Sequence, residues 1–156
     1  MAYQKLQTST GLNIFPTNDA NIPFPNVITS GIVDVITPFE LEDTTANFTS
    51  EGIQVGDVVW NTDTNQAATV VQVLNATNIL LNADIFTGLE SYKIYVQNSK
   101  KEGCVLYIGT GGNLRVITAS GQDVVFFNIL GGSFLPVNVV KVLVTATGAS
   151  DIVALW

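Results

Sequence analysis

The sequence contains no histidine, and Cys104 is its single cysteine among 156 residues. Without imidazole there is no Ser–His or Cys–His nucleophilic system and no histidine metal ligand. One cysteine makes no internal disulfide and no thiolate metal site, so Cys104 reads as a small apolar residue opening a strand. Charge is scarce too, at 12% of residues, where an ordinary globular chain has about 25%. The basic residues are Lys5, Lys93, Lys100, Lys101, Lys141 and Arg115, with no cluster beyond the Lys100–Lys101 pair. At a net charge of −7, nothing here neutralises a phosphate backbone, and nucleic-acid binding is not expected. No apolar run approaches the roughly 20 residues that span a bilayer. The opening MAYQKLQTSTG has no signal-peptide core, and Ala2 breaks the myristoylation pattern. The expectation is a soluble chain made in a cytoplasm, with no membrane partner. Sustained helical periodicity is also missing.

What the sequence does have is Val, Ile, Thr and Asn, with 47% hydrophobic residues and 13 glycines. That mixture suits strands joined by tight turns, and its low charge suits surfaces that close on partner subunits. The fold class expected is all-β, in three parts. Residues 1–26 read as an extended arm, because Pro16, Pro23 and Pro25 block a helix. Such an arm is stable only when it lies on its own C-terminal half or on a neighbouring subunit. Leu12, Ile14, Phe15, Ile22 and Phe24 are the apolar residues that would hold it there.

Residues 27–97 read as a small barrel of the SH3-like kind. GIVDVITPF alternates, and the acidic loop ELEDTTANFTSEG follows it. GDVVWN and ATVVQVLN form a hairpin through TDTNQ, ATN turns into ILLNAD, IFTGLE forms a helical turn, and SYKIYV closes the unit. QNSKKEG at 97–103 reads as a linker. Residues 98–156 then hold five strand runs, CVLYIG, NLRVITA, DVVFFNI, FLPVNVVKVLVTAT and DIVALW, at the spacing of a jelly-roll-like sandwich.

The run LYIGTGGNLRVI at 106–117 poses the main functional choice. A dinucleotide fingerprint needs a third glycine where Leu114 stands, and a phosphate cradle needs a helix directly after the loop. NLRVITA alternates like a strand, and no Gly-Lys-Ser/Thr follows. Gly109, Gly111 and Gly112 therefore read as hairpin-turn glycines placed for positive φ. Asn61-Thr62-Asp63-Thr64-Asn65 starts like a calcium loop, but Gln66 and Gln72 occupy the positions that require Gly and Glu. Glu40, Glu42 and Asp43 read as solvated charge in a polar loop. Trp60 and Trp156 each have the face to stack on a sugar, and each reads first as core or subunit contact. The sequons at Asn47 and Asn75 read as chance matches in an Asn/Thr-rich chain.

The C-terminal pieces LYIGTGG, the glycine before FLPV, and the ending TGASDIVALW resemble the head spike base family of gene transfer agents and tailed phages. PTNDANIPFP at 16–25 is similar to the proline-bounded arm of that family. The resemblance covers residues 12–26 and 103–156. Residues 27–97 depart from it and sit where an inserted domain would; they are similar to a small β-module of phage structural proteins. The resemblance implies a virion structural protein on the capsid surface: a head decoration (cement) protein, a vertex spike base, or a tail or fibre adaptor. It implies no catalysis and no cofactor. The implied partners are further copies of the chain, as a trimer or pentamer, and the major capsid protein or other virion proteins. The contact residues expected are Ile14, Phe15, Ile22, Phe24 and Trp156. A carbohydrate- or host-surface-binding module using Trp60 or tyrosines is the alternative, and a hydrolase using Glu40, Glu42 and Asp43 is a third.

Overall fold

The computed structural model describes residues 8–98 and 102–156. The first residues of the expected arm, and residues 99–101 of the expected linker, lie outside the described residues. The described chain is all-β, built as two antiparallel sheets. The strands are β1 (Gly11–Ile14), β2 (Val27–Ile32), β3 (Glu40–Glu42), β4 (Val58–Asn61), β5 (Gln66–Val73), β6 (Asn78–Leu81), β7 (Ser91–Tyr95), β8 (Cys104–Thr110), β9 (Gly112–Thr118), β10 (Asp123–Ile129), β11 (Ser133–Val142) and β12 (Ser150–Leu155). One short helix, α1 (Phe48–Glu51), lies between β3 and β4.

Two compact units divide the chain: Thr17–Lys100, and Met1–Pro16 together with Lys101–Trp156. Residues 1–26 are therefore shared between them. β1 pairs with β12 from Gly11↔Leu155 to Ile14↔Ile152. Further along, the Asp19 carbonyl accepts from Thr69 Oγ1 at 3.0 Å and Asn82 Nδ2 at 2.7 Å, and Phe24 N–H donates to the Val96 carbonyl at 3.1 Å.

In the Thr17–Lys100 unit the strand order is β2-β7-β4-β5-β6-β3. The hairpins expected at TDTNQ and ATN both form, as β4–β5 and β5–β6. β4 is buried at every position because β5 and β7 flank it and both its faces are covered. After β2, Asp34 N–H donates to the Glu42 carbonyl at 3.1 Å and Val35 bridges Glu42, so the two edges of the sheet meet. Val33, Leu41, Phe48, Val59, Ile79 and Ile94 fill the interior.

Three local readings change here. The strand expected at GIVDVITPF ends at Ile32. Val33 is buried, whereas Ile32, Val35 and Ile36 are exposed. Val33 N–H still bonds the Glu90 carbonyl, one step beyond the Ile32↔Ser91 pair, and the chain then turns to a new partner when Asp34 N–H bonds the Glu42 carbonyl; local alternation carries no information about that distant partner. The acidic loop contains β3 and α1. Asn47 caps α1 by accepting from Ser50 N–H at 3.1 Å, Phe48 anchors it in the core, and Gly52 ends it in the left-handed conformation. The helical turn expected at IFTGLE is irregular chain, tied by Thr87 N–H donating to Glu90 Oε2 at 3.0 Å.

The other unit has strand order β1-β12-β8-β11-β9-β10. β8 and β9 do not pair with each other. β11 lies between them, pairing with β8 through Ser133–Leu135 and again at Val139, and with β9 through Val139–Val142. The register shifts between Leu135 and Val139 against β8, and between Val139 and Lys141 against β9, mark irregularities that bend this strand. IGTGG is therefore a crossing between non-adjacent strands, which corrects the hairpin reading. Its glycines answer to crowding. A Cβ on Gly109 would lie 2.8 Å from Asp151, and one on Gly111 would lie 2.5 Å from the Ile129 carbonyl and 2.7 Å from Gly131 N. β9 and β10 do form a hairpin through the ASGQ turn.

Candidate functional site

The carboxylates proposed for acid–base work are not together in a solvated loop. Glu40 and Glu42 lie on β3, and Glu40 accepts from Asn78 Nδ2 at 2.7 Å. Asp43 is buried. Its Oδ1 accepts from Thr45 N–H at 2.9 Å and from Thr45 Oγ1 at 2.6 Å, and its Oδ2 accepts from the Tyr92 hydroxyl at 2.8 Å. Burial alone would raise the Asp43 carboxyl, but the hydrogen bonds from Thr45 and Tyr92 outweigh it and hold the group below its usual value. Burial, and the Asp43 charge it donates to, push the Tyr92 phenol far upward. A buried carboxylate engaged on both oxygens ties β7 to the end of β3.

The calcium-like stretch is a turn organised by Asn61, which is fully buried. Asn61 Oδ1 accepts from Asp63 N–H and Thr64 N–H at 3.0 and 3.1 Å, and Nδ2 donates to the Ile85 carbonyl and to Glu90 at 2.8 and 2.9 Å. Asp63 is itself held, accepting from Ser91 N–H at 2.7 Å. Among the described residues, no three His, Cys, Asp or Glu side chains converge as a metal site. Cys104 is buried, donates to the Val139 carbonyl at 3.3 Å, and has its thiol pushed up to about 12 by desolvation. Trp60 and Tyr95 are buried against each other with ring centroids 4.6 Å apart, which removes Trp60 as an exposed stacking platform.

Of the expected contact residues, Ile14 and Ile22 are buried within the chain itself. Phe15, Phe24 and Trp156 are half-buried and keep surface to offer. Trp156 is fastened through its backbone, whose carbonyl accepts from Ser9 N–H at 2.7 Å and whose N–H donates to the Thr10 carbonyl at 3.0 Å.

The most exposed apolar surface of this unit lies elsewhere, at strand β10. β9 is its one partner among the described residues. Phe126 stands opposite Leu114 and Val124 opposite Val116, and residues directly opposite share a face of a sheet. Leu114 and Val116 are fully buried, so Val124 and Phe126 point to the core face, yet both stay half-exposed because no strand of the described residues lies beyond them. Phe127 is 71% exposed, and in the connection to β11 and its first residues Leu130 is 78% and Phe134 56% exposed. Phe134 packs its ring against Tyr107 at 5.3 Å. The one charged side chain on β10 is Asp123, and Arg115 holds it with Nε and Nη2 at 2.9 and 2.7 Å. That bidentate pair keeps the Asp123 carboxyl below its usual range. Comparison with family models, curated proteins and solved structures finds no match to this chain.

The apolar run VVFF is legible in the sequence, whereas the exposure of Leu130 and Phe134 follows from where the β10–β11 connection lies. The available signal was the run ILGGSF itself, since a turn that carries large apolar residues at its ends keeps them at the surface.

Proposed function

We propose that the chain is a structural protein of a tailed-phage virion, made in the host cytoplasm and placed on the capsid surface as a head decoration or spike base protein. Its work is self-assembly and binding to the shell, with no turnover. The observation that carries this reading is the β10 edge, a strand whose core-facing side chains are left half-exposed beside Phe127, Leu130 and Phe134. Natural edge strands are blunted by lysine, proline, inward-pointing charge or bulges; β10 has an irregularity between Phe126 and Ile129, but its regular stretch Asp123–Phe126 has no lysine or proline and its one carboxylate is neutralised by Arg115. An apolar strand edge left open in this way suits a surface that is covered on assembly.

The meeting of the sheet edges at Val35 and Glu42 supports a small SH3-like barrel in the inserted module. The strand order around the bent β11 supports a jelly-roll-like sandwich in the C-terminal unit. The resemblance over residues 12–26 and 103–156 supplies the virion context.

The test is to incubate the purified chain with heads of the encoding phage that lack it, sediment the particles, and image them by cryo-electron microscopy. Saturable co-sedimentation with ordered density on the head supports the proposal. A chain left in the supernatant, with no density on the particle, overturns it.

A further inference from the structure

We propose that β10 is the contact strand of a two-fold homodimer, in which two copies join their open edges antiparallel into one continuous sheet. This deepens the self-assembly part of the proposed function and is independent of the particle to which the chain would bind.

Geometry restricts how such an edge meets its own copy. Two antiparallel strands of one sheet are related by an axis normal to that sheet, and this axis keeps every side chain on its own face. Residues that face each other must therefore lie on the same face, so one residue on the axis faces itself. Centring the axis on Val125 places Val124 beside the partner's Phe126 on the core face, twice, and Asp123 beside the partner's Phe127. Aromatic–β-branched pairs of this kind favour strand pairing. They would also cover the core-face residues that β10 leaves half-exposed. Centring on Phe126 instead sets Val124 against the polar, positive-φ Asn128 (φ 53°), losing the aromatic pair. Centring on Val124 runs the pairing into the Gly121 turn.

The self-matching Val124–Phe126 register favours a second copy, and charge permits it at this edge. At −7 overall, two copies repel each other except where the meeting surfaces are neutral. β10 is such a place, because its single carboxylate is neutralised by Arg115 and, in the Val125 register, faces a phenyl ring rather than its own copy. The opposite edge of the same sheet, β1, is shorter and presents Gly11 and Asn13 outward, so it has less apolar surface to cover. The two-fold contact is isologous and closes on itself, giving a dimer where the sequence alone suggested a trimer or pentamer.

The experiment uses the full chain, with light scattering after gel filtration and circular dichroism to confirm the strand signature of each variant. The native chain should be dimeric at micromolar concentration. Phe127→Asp sets a carboxylate opposite Asp123 of the partner and should weaken association by about tenfold or more, without loss of fold because Phe127 is mostly exposed. Val125→Cys puts two thiols face to face, and directly opposite Cα atoms in an antiparallel pair are about 4.5–5.5 Å apart, within disulfide range. Mild oxidation should therefore link this variant into a covalent dimer. Gln122→Cys, off the axis, should stay unlinked, and the buried Cys104 does not compete. A native chain that is monomeric, or that forms a three- or five-membered ring, overturns the proposal. So does a dimer that Phe127→Asp leaves intact and Val125→Cys fails to link. Because none of these readouts involves a virion, their failure is distinct from a failure of head binding.

Discussion

The Tyr92 hydroxyl donates to Asp43 Oδ2 at 2.8 Å, and both side chains are buried in the Thr17–Lys100 unit. The pair joins β7 to the chain just after β3, across a sheet in which those strands are not neighbours. Room for it comes from Gly31 on β2, where a Cβ would lie 2.5 Å from Asp43 Oδ2 and 2.7 Å from the Tyr92 hydroxyl.

Tyr92→Phe removes the donor and leaves one oxygen of a buried carboxylate short of a partner. The expected cost is about 1–3 kcal/mol at pH 7, read from urea unfolding. The pH dependence follows from the depressed Asp43 carboxyl. A group held below its unfolded value stabilises the fold above that value, here 3.8, and the contribution disappears as pH falls through the folded value. Stability should therefore drop from pH 5 toward pH 2, and Tyr92→Phe should show a smaller penalty at the acid end. An unchanged penalty across that range would mean the hydroxyl is not serving the carboxylate.

Gly31→Ala should destabilise the same unit by about 1–3 kcal/mol through overpacking. Combined with Tyr92→Phe, its penalty should shrink, because the hydroxyl it crowds is gone; a double-mutant cycle reads the coupling.

Gly111→Ala and Gly148→Ala form a contrasting pair. The first drives a methyl against the Ile129 carbonyl and Gly131 N, which are backbone, whereas the second meets nothing within 4 Å. Loss of about 2 kcal/mol or more is expected for Gly111→Ala and near-neutral behaviour for Gly148→Ala, measured by thermal unfolding.

Ile14→Ala and Ile22→Ala should act on different units. Ile14 lies on β1 against β12, and Ile22 belongs to the Thr17–Lys100 unit. Each should cost about 2 kcal/mol or more. Hydrogen exchange should rise in β8 and β12 for the first and in β4, β5 and β7 for the second. A purely intermolecular role for either residue would leave exchange in the isolated chain unchanged.

The amino-acid sequence by itself determined the all-β class, because composition and period-two patterning are local properties that each strand carries alone. It also placed the β4–β5 and β5–β6 turns, where Asn and Asp residues organise their own neighbouring backbone. Only the tertiary structure decided that β11 separates β8 from β9, that Asp43 is buried against Tyr92, and that β10 is left as an open edge. Each of those depends on residues far apart in the chain arriving side by side. A glycine needed for close approach reads the same as one needed for a turn, and an acidic residue reads the same whether it meets water or a distant phenol. The physical reason is that pairing order and burial are settled by long-range packing, which no local window of sequence contains.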